Sequence, residues 1–184
     1  MILIKMPELL LIAGTGRNSG KTTIVCNIIK KSSPNFQVVA IKVTPHFHQN
    51  IESGKIVFDR NDLVIIEELD SETGKDSSLM LKAGAVKSYF VMAKDDQLEE
   101  AMQLIIKQIP DKTPVICESG GLRHWFEPGL FLMMNRSDNV TFKPGVEDLK
   151  SVADHWITFD GKKLDFDVNT INYSGNKWSI LKEK

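Results

Sequence analysis

The stretch ELLLIAGTGRNSGKTT, residues 8–23, joins an apolar run to a glycine-rich turn and a pair of threonines. Residues 8–13 are short and almost continuously apolar, which is typical of a strand buried on both faces. Residues 22–31, TTIVCNIIKK, have helical patterning and run into a Ser-Ser-Pro sequence that ends a helix. The stretch therefore predicts a strand, a glycine-rich loop and a helix in direct succession.

The loop departs at one position from the usual phosphate-binding spacing G-x-x-x-x-G-K-[ST]. That spacing places its first glycine at position 15, where this chain has Thr15. Gly14 and Gly16 flank the threonine, and glycine takes up unusual backbone angles at little cost. Because the lysine, the hydroxyls and the helix start are all present, the sequence predicts a working phosphate loop.

A phosphate loop uses backbone N–H groups and a helix N-terminus to bind an anion, a lysine to reach the outer phosphates and a hydroxyl to bind Mg²⁺. Lys21 is expected to bridge the β- and γ-phosphates, Thr22 to bind Mg²⁺ and Thr23 to contact the α-phosphate. The predicted nucleotide-binding residues of the loop are Gly16, Arg17, Asn18, Ser19, Gly20, Lys21, Thr22 and Thr23. The alternative is a glycine turn before a helix, with a solvated lysine.

A second half of the site is predicted where the apolar run Thr113–Cys117 ends. The next residues are Glu118-Ser119-Gly120-Gly121, an E-x-x-G sequence at the position where nucleotide switches often show D-x-x-G. Glu118 is predicted to act with Lys21 in catalysis and to bind Mg²⁺, and Gly121 to offer its N–H to the γ-phosphate. The alternative is a strand-end turn with a solvated glutamate.

The turn Asn135-Arg136-Ser137-Asp138 follows another apolar run and is similar to the N-K-x-D sequence of guanine recognition. Asn135 and Asp138 are therefore candidate base-binding residues, and the aliphatic part of Arg136 could pack on a purine ring. An ordinary polar turn after a strand is the alternative.

Four further polar residues follow or precede predicted elements. Lys42, His46 and His48 lie at or after the end of a predicted strand, the edge at which open parallel sheets gather ligands. For the two histidines, ordinary loop residues and a pair touching phosphate or metal both remain open, and Lys42 could equally be a simple charge at a strand tip. Asp76 is either a helix cap or a third Mg²⁺ ligand beside Thr22 and Glu118.

Along the rest of the chain, strands alternate with helices of roughly ten residues, which predicts βα units and a mostly parallel sheet. The expected fold is one three-layer α/β/α domain of the phosphate-loop NTPase class, over residues 1–184, with a β-hairpin insertion at about 50–70. Further strands are predicted at 37–43, 55–58, 63–68, 88–93, 113–117, 129–134 and 155–159, further helices at 75–85, 95–108 and 146–153, and one or two small strands after 161.

Composition excludes several classes of protein. The 184 residues include 42% hydrophobic and 26% charged residues and carry a formal net charge of −1. No basic field indicates nucleic acid or membrane as a partner, and the apolar N-terminus is interpreted as a first strand rather than a signal peptide. Cys26 and Cys117 both lie in apolar sequence, which favours buried, reduced thiols in a cytoplasmic protein.

Several segments together resemble one family. NSGKTT at 18–23, KVTPHFH at 42–48, KDSSLMLKAGA at 75–85 and CESGG at 117–121 occur in the order and approximate spacing of the molybdopterin-guanine dinucleotide biosynthesis protein B family. Phosphate loops are common to many families, whereas K-D-S followed by L-K-A-G-A is much more specific. The resemblance covers about residues 8–135, and the hairpin looks like an insertion relative to the compact family form.

The resemblance implies a three-layer phosphate-loop fold, GTP binding with slow hydrolysis, Mg²⁺ and often a homodimer. It also implies an accessory role, in which the protein helps a partner nucleotidyltransferase attach GMP to molybdopterin. The chain departs from the family pattern after Glu118 and at 122–134, which leaves open another metal-cofactor enzyme as the partner. Binding of ATP instead of GTP remains open. By position, the resemblance strengthens His46, His48 and Asp76 as site residues.

Two alternatives belong to other functional classes. A small-molecule kinase would transfer the γ-phosphate of ATP to an acceptor, and such enzymes usually close an arginine-rich lid over the phosphates. The chain has four arginines that form no cluster in the sequence, at positions 17, 60, 123 and 136, which disfavours a kinase. The other alternative is a binding module without turnover.

Overall fold

The computed structural model of the chain describes residues 2–47, 54–138 and 145–181. Within these ranges the strands are β1 (Ile4–Gly14), β2 (Val39–Thr44), β3 (Lys55–Arg60), β4 (Leu63–Glu67), β5 (Lys87–Ala93), β6 (Val115–Glu118), β7 (Phe126–Arg136), β8 (His155–Phe159), β9 (Ile171–Ser174) and β10 (Lys177–Ile180). The α-helices are α1 (Lys21–Ser32), α2 (Asp76–Lys82), α3 (Leu98–Ile106) and α4 (Val146–Lys150).

Eight of these strands form one sheet, in the order β3-β4-β5-β2-β6-β1-β7-β8. The pairs from β5 to β8 are all parallel, whereas β3 pairs with β4 and β4 with β5 in antiparallel register. Because parallel strands need crossover connections, helices cover the sheet. The predicted mixed α/β architecture with a mostly parallel sheet is confirmed.

Both faces of the sheet are buried, which explains the continuous apolar run of β1. Leu9, Leu11 and Ala13 pack on one side with residues of α3 and α4. Leu10 and Ile12 pack on the other side with residues of α1 and α2. Since successive side chains of a strand point to opposite faces, a strand between two cores must be apolar at every position.

The predicted hairpin is present and extends the sheet at one edge. β3 and β4 pair with each other around a two-residue turn, and β4 continues onto β5 from Leu63↔Ala93 to Glu67↔Tyr89. Of the predicted insertion, residues 50–53 lie outside the described residues. The hairpin therefore adds two antiparallel strands to the parallel sheet.

Several element bounds differ from the sequence-based predictions. α2 ends at Lys82 instead of 85, since Gly84 has a left-handed backbone with φ of 111°. The predicted helix at 95–108 begins as a 3₁₀ turn, and α3 proper starts at Leu98. β7 is an 11-residue strand rather than a short one, because its first residues pair with the beginning of β1.

The polar C-terminal segment forms the small antiparallel sheet of β9 and β10. Trp178 is fully buried and its indole N–H donates to the Glu8 carbonyl at 2.8 Å. This hairpin packs into the same core as α1 and thereby fills part of the face that helices cover elsewhere. In the described part of the chain, no helix has the length and apolar character that crossing a membrane requires.

Candidate functional site

A cleft of about 860 Å³ opens where the parallel strands end. Its walls come from the glycine-rich loop (residues 14–20), the start of α1, the end of β2, the residues after β6 and the end of β8. Ligands of open α/β sheets bind at the carboxyl ends of the strands, because loops and helix N-termini converge there. The cleft is therefore the candidate site.

Thr15 continues the sheet rather than lining the cleft. Its backbone N–H donates to the Met134 carbonyl at 2.9 Å, and its hydroxyl donates to Asn135 Oδ1 at 3.1 Å. The side chain is fully buried. A threonine fits here because this position turns towards β7 and away from the space that the loop encloses.

At two other loop positions, Gly14 and Gly20, neighbouring atoms lie so close that they leave little room for a side chain. A Cβ at Gly14 would lie 2.5 Å from Ser19 Oγ and 2.9 Å from Lys21 Cδ. Gly20 has φ of 81°, and a Cβ there would lie 2.7 Å from Phe159 Cγ. A side chain at position 14 would displace Ser19 and Lys21 from the places they occupy, and the positive φ at position 20 favours glycine there.

Gly20 is also the N-terminal cap of α1. Within the part of the chain that the structure describes, no side chain caps this helix and no acidic residue lies in its first turn. Lys21 lies over the loop, where its ammonium group donates to the Gly16 carbonyl at 3.0 Å and to Ser19 Oγ at 3.2 Å. Backbone N–H groups, a helix dipole and an ammonium group thus meet at one point, which is the chemistry of an anion site.

Next to this point, three oxygen-bearing side chains converge from three elements. Thr22 Oγ1, in the first turn of α1, lies 3.1 Å from Asp76 Oδ1 and 3.0 Å from Glu118 Oε2. Asp76 is the first residue of α2 and Glu118 the last of β6. The hydroxyl has one proton, so it can donate to only one of the two carboxylates. Hydroxyl and carboxylate oxygens suit Mg²⁺, so the three residues predicted as its ligands fit that ion.

Lys42 completes this group from β2. Its ammonium nitrogen lies 2.6 Å from Asp76 Oδ2 and 2.5 Å from Glu118 Oε1. Burial acts to lower the pKa of Lys42, but the charge of Glu118 and the hydrogen bonds to both carboxylates outweigh it, so the pKa is raised. Lys42 is therefore a charged ammonium group at neutral pH. Thr22, Lys42, Asp76 and Glu118 are called the charge ring below.

A buried glutamate fixes the start of α2. Glu68 accepts hydrogen bonds from the Ser77 hydroxyl at 2.9 Å and from the backbone N–H groups of Leu69 and Asp70. The N-cap position of α2 is Lys75, so Asp76 is the first helical residue and not the cap. The segment before α2 is thereby held in place, and the Asp76 carboxylate is left to face Thr22 and Lys42.

The other predicted residues divide into two groups. Arg17, Asn18, Thr23, His46 and Gly121 line the cleft with the rest of the loop. Asn135 and Asp138 do not line it, since Asn135 accepts from Thr15 and the Asp138 carboxylate is 2.6 Å from Arg136 Nε. His48 lies outside the described residues.

The cleft also contains residues that the sequence did not single out. Phe159 ends β8 and lies against Gly20, while Asp95 follows β5 and lies against Gly121. His124, in the turn after β6, lines the same space. Phe159 and Asp95 could have been found by asking which residues end each parallel strand, but the order of the strands was needed to place them together.

No family model, curated protein or solved structure matches this chain. The resemblance to the molybdopterin-guanine dinucleotide biosynthesis protein B family thus stays a prediction. The described residues contain no group of three or more His, Cys, Asp and Glu side chains placed to hold a metal. A cation here would depend on two carboxylates, the Thr22 hydroxyl and further oxygens from outside the protein.

The reactivity of the Cys26 thiol, beside the site, tests how far this part of α1 is buried. It lies in α1 and is half-buried, while Cys117 is buried; neither forms a disulfide. Burial raises the pKa of Cys26 from 9.0 to about 11. Because only the thiolate reacts, we expect Cys26 at pH 8 to react with a disulfide reagent about 100-fold more slowly than in urea-unfolded protein, and faster as the pH approaches 11.

The comparison uses stopped-flow reaction with an aromatic disulfide. Cys117→Ser isolates Cys26, and the same variant in urea provides the unfolded rate. A native rate at pH 8 equal to the unfolded rate would show that burial does not protect this thiol.

Proposed function

We propose that this protein binds a Mg²⁺–nucleoside triphosphate in the cleft and hydrolyses it slowly. The observation that carries the proposal is the approach of Thr22 Oγ1 to Glu118 Oε2, 3.0 Å apart, directly after a glycine-rich loop that places Lys21 over its own backbone. The loop supplies an anion site and the neighbouring oxygens a cation site, which is the combination that a metal–triphosphate needs.

The role of each residue follows from its position. Lys21 neutralises phosphate charge, the loop N–H groups hold phosphate oxygens, and Thr22, Glu118 and Asp76 would hold the metal, which supplies charge stabilisation when bound. Both oxygens of Glu118 already have partners, Thr22 and Lys42. With nucleotide bound, a Glu118 carboxylate that holds the metal would not be free to remove a proton from water, which supports slow turnover.

GTP as the ligand, a nucleotidyltransferase or metal-cofactor enzyme as the partner, and a homodimer rest on the sequence resemblance. In this proposal the protein is an accessory factor in molybdopterin guanine dinucleotide synthesis. The base would lie near the ends of β7 and β8. Arg136 and Phe159 line the cleft there, and Arg136 Nη1 lies 3.5 Å from the Asn18 carbonyl.

A metal-binding test addresses the proposal directly. Calorimetric titration with GTP and with ATP is compared in Mg²⁺ and in EDTA, and Mg²⁺ is expected to tighten wild-type binding at least about tenfold. Thr22→Ala removes the hydroxyl and is expected to reduce this gain to less than about threefold.

Thr113→Ala is the matched control, since Thr113 lies before β6 at the opposite end of the sheet. It is expected to keep the full Mg²⁺ effect. The proposal fails if neither nucleotide binds in Mg²⁺, or if Thr22→Ala keeps the wild-type dependence on Mg²⁺.

A small-molecule kinase remains the second candidate, and one observation favours it. The four arginines are scattered in the sequence, yet the fold brings Arg17 and Arg136 to the same cleft. The space also extends past the loop to Asp95 and His124, which leaves room for an acceptor. Phosphate transfer that is rapid only when a small acceptor is added would favour the kinase over slow hydrolysis.

A further inference from the structure

In the charge ring, the four carboxylate oxygens are divided equally between the Thr22 hydroxyl and the Lys42 ammonium group. Asp76 Oδ1 and Glu118 Oε2 face the Thr22 hydroxyl, at 3.1 and 3.0 Å. Asp76 Oδ2 and Glu118 Oε1 face the Lys42 ammonium group, at 2.6 and 2.5 Å. Each carboxylate therefore contacts the hydroxyl with one oxygen and the ammonium group with the other.

The burial of the ring makes its charge balance important. The Glu118 side chain is 3% exposed and that of Lys42 is 16% exposed, whereas Asp76 is 41% exposed. Two carboxylates and one ammonium group leave a net charge of −1. A buried carboxylate with no cation beside it is costly, so Lys42 stabilises Glu118 within the folded chain.

The same geometry makes Lys42 and a metal ion competitors for the two carboxylates. A divalent cation held with Thr22 would bind the carboxylate oxygens that face the hydroxyl, while Lys42 contacts the other oxygen of each carboxylate. Two cations that share the same pair of carboxylates repel each other strongly in a partly buried site. Without Lys42 the two carboxylates would carry a net charge of −2 and would attract a divalent cation.

We propose that Lys42 is a built-in counter-cation that competes with Mg²⁺ for Asp76 and Glu118. In the free protein, Lys42 offsets part of the carboxylate charge and makes binding of metal alone weak. The negative charge of a triphosphate offers Lys42 another partner, so the metal binds together with the nucleotide. The joint binding of metal and nucleotide rests on the proposed function, whereas the competition between Lys42 and the metal concerns only residues of the charge ring.

The test measures binding of Mn²⁺ alone, without nucleotide, from the electron paramagnetic resonance signal of the free ion. Lys42→Met removes the charge and keeps much of the aliphatic chain, and it is expected to bind Mn²⁺ at least about tenfold more tightly than the wild type. Adding Asp76→Asn to this variant is expected to remove the gain, because one of the two carboxylates is then neutral.

Lys82→Met is the matched control. Lys82 also forms an ion pair, 2.7 Å from Glu72, but on the exposed surface, so its replacement is expected to leave Mn²⁺ binding unchanged. Circular dichroism checks whether each variant is folded. If Lys42→Met is not folded, Lys42→Gln gives the same comparison with a neutral side chain that can still donate a hydrogen bond.

The proposal is overturned if the folded variant binds Mn²⁺ no more tightly than the wild type. It is also overturned if both neutral variants lose the fold, since Lys42 would then serve structure alone. Tighter Mn²⁺ binding in a protein that binds no nucleotide would contradict the proposed function and leave the competition standing. If the protein binds nucleotide but Lys42→Met leaves the Mn²⁺ affinity unchanged, the competition is contradicted and the proposed function stands.

Discussion

Replacing Lys21 by alanine is expected to weaken binding of a Mg²⁺–nucleoside triphosphate by at least about 100-fold. The Lys21 ammonium group lies 3.0 Å from the Gly16 carbonyl and lines the cleft with the loop. A charge-assisted hydrogen bond contributes about 1.5–3 kcal/mol, and a lysine that spans two phosphates makes more than one. A loss of about 2.7 kcal/mol corresponds to 100-fold in affinity. Calorimetric titration of both proteins measures it.

Lys30→Ala controls for the loss of one positive charge on the same helix. Lys30 lies in the last turn of α1, is exposed and does not line the cleft. Its replacement is expected to change affinity by less than about twofold, because an exposed charge at this distance is screened by salt. Equal affinities for the wild type and Lys21→Ala would show that the loop does not bind phosphate.

Replacing Gly129 by alanine is expected to lower the free energy of unfolding by about 3 kcal/mol. A Cβ at this position would lie 2.0 Å from the Pro7 carbonyl oxygen and 2.9 Å from its carbonyl carbon. Both contacts are with backbone, which cannot rotate aside as a side chain can. The register of β1 and β7 shifts between Met6 and Leu10, so the strands approach here outside the regular ladder. Urea unfolding followed by circular dichroism gives the difference.

Gly120→Ala is the control for this second prediction. A Cβ at Gly120 would meet no atom within 4 Å, and the residue does not have a positive φ. Its replacement is expected to change the free energy of unfolding by less than about 0.5 kcal/mol. A Gly129→Ala protein as stable as the wild type would mean that β1 and β7 separate at this point without cost.

Much of the fold could be predicted because it depends on local patterns. The apolar run before Gly14 predicts a buried strand, the helical periodicity after Gly20 predicts α1, and the polar group between two short strands predicts the β3–β4 hairpin. Hydrophobic periodicity and turn residues act over about ten positions, so they can be recognised without tertiary information.

Bounds were less predictable where contacts from distant segments extend an element. β7 is longer than the apolar run at 129–134, because its first residues pair with the start of β1, more than 100 positions away. The helix predicted at 75–85 is shorter, since backbone conformation at Gly84 ends it. In both cases the local pattern identifies the element and the neighbouring structure sets where it ends.

The candidate site likewise has one part that the local sequence predicts and one part that depends on the fold. Gly14 to Thr23 could be predicted as a unit because the residues are adjacent and their chemistry is local. Lys42 gave only a weak indication in the sequence, where a lysine at a strand tip is unremarkable. Its importance appears only when β2 and β6 are neighbours in the sheet, so that Lys42 and Glu118 are paired in register.

Neighbouring residues were enough to predict the strand, glycine-rich loop and helix at 8–31, the α/β alternation and the hairpin near residue 60, since each depends on a local pattern. Only the fold shows that Thr22, Lys42, Asp76 and Glu118 form one charge ring and that Arg17 and Arg136 share a cleft. These groupings join residues up to 119 positions apart, and they exist because the order of strands in the sheet, which local patterns leave open, brings the strand ends together.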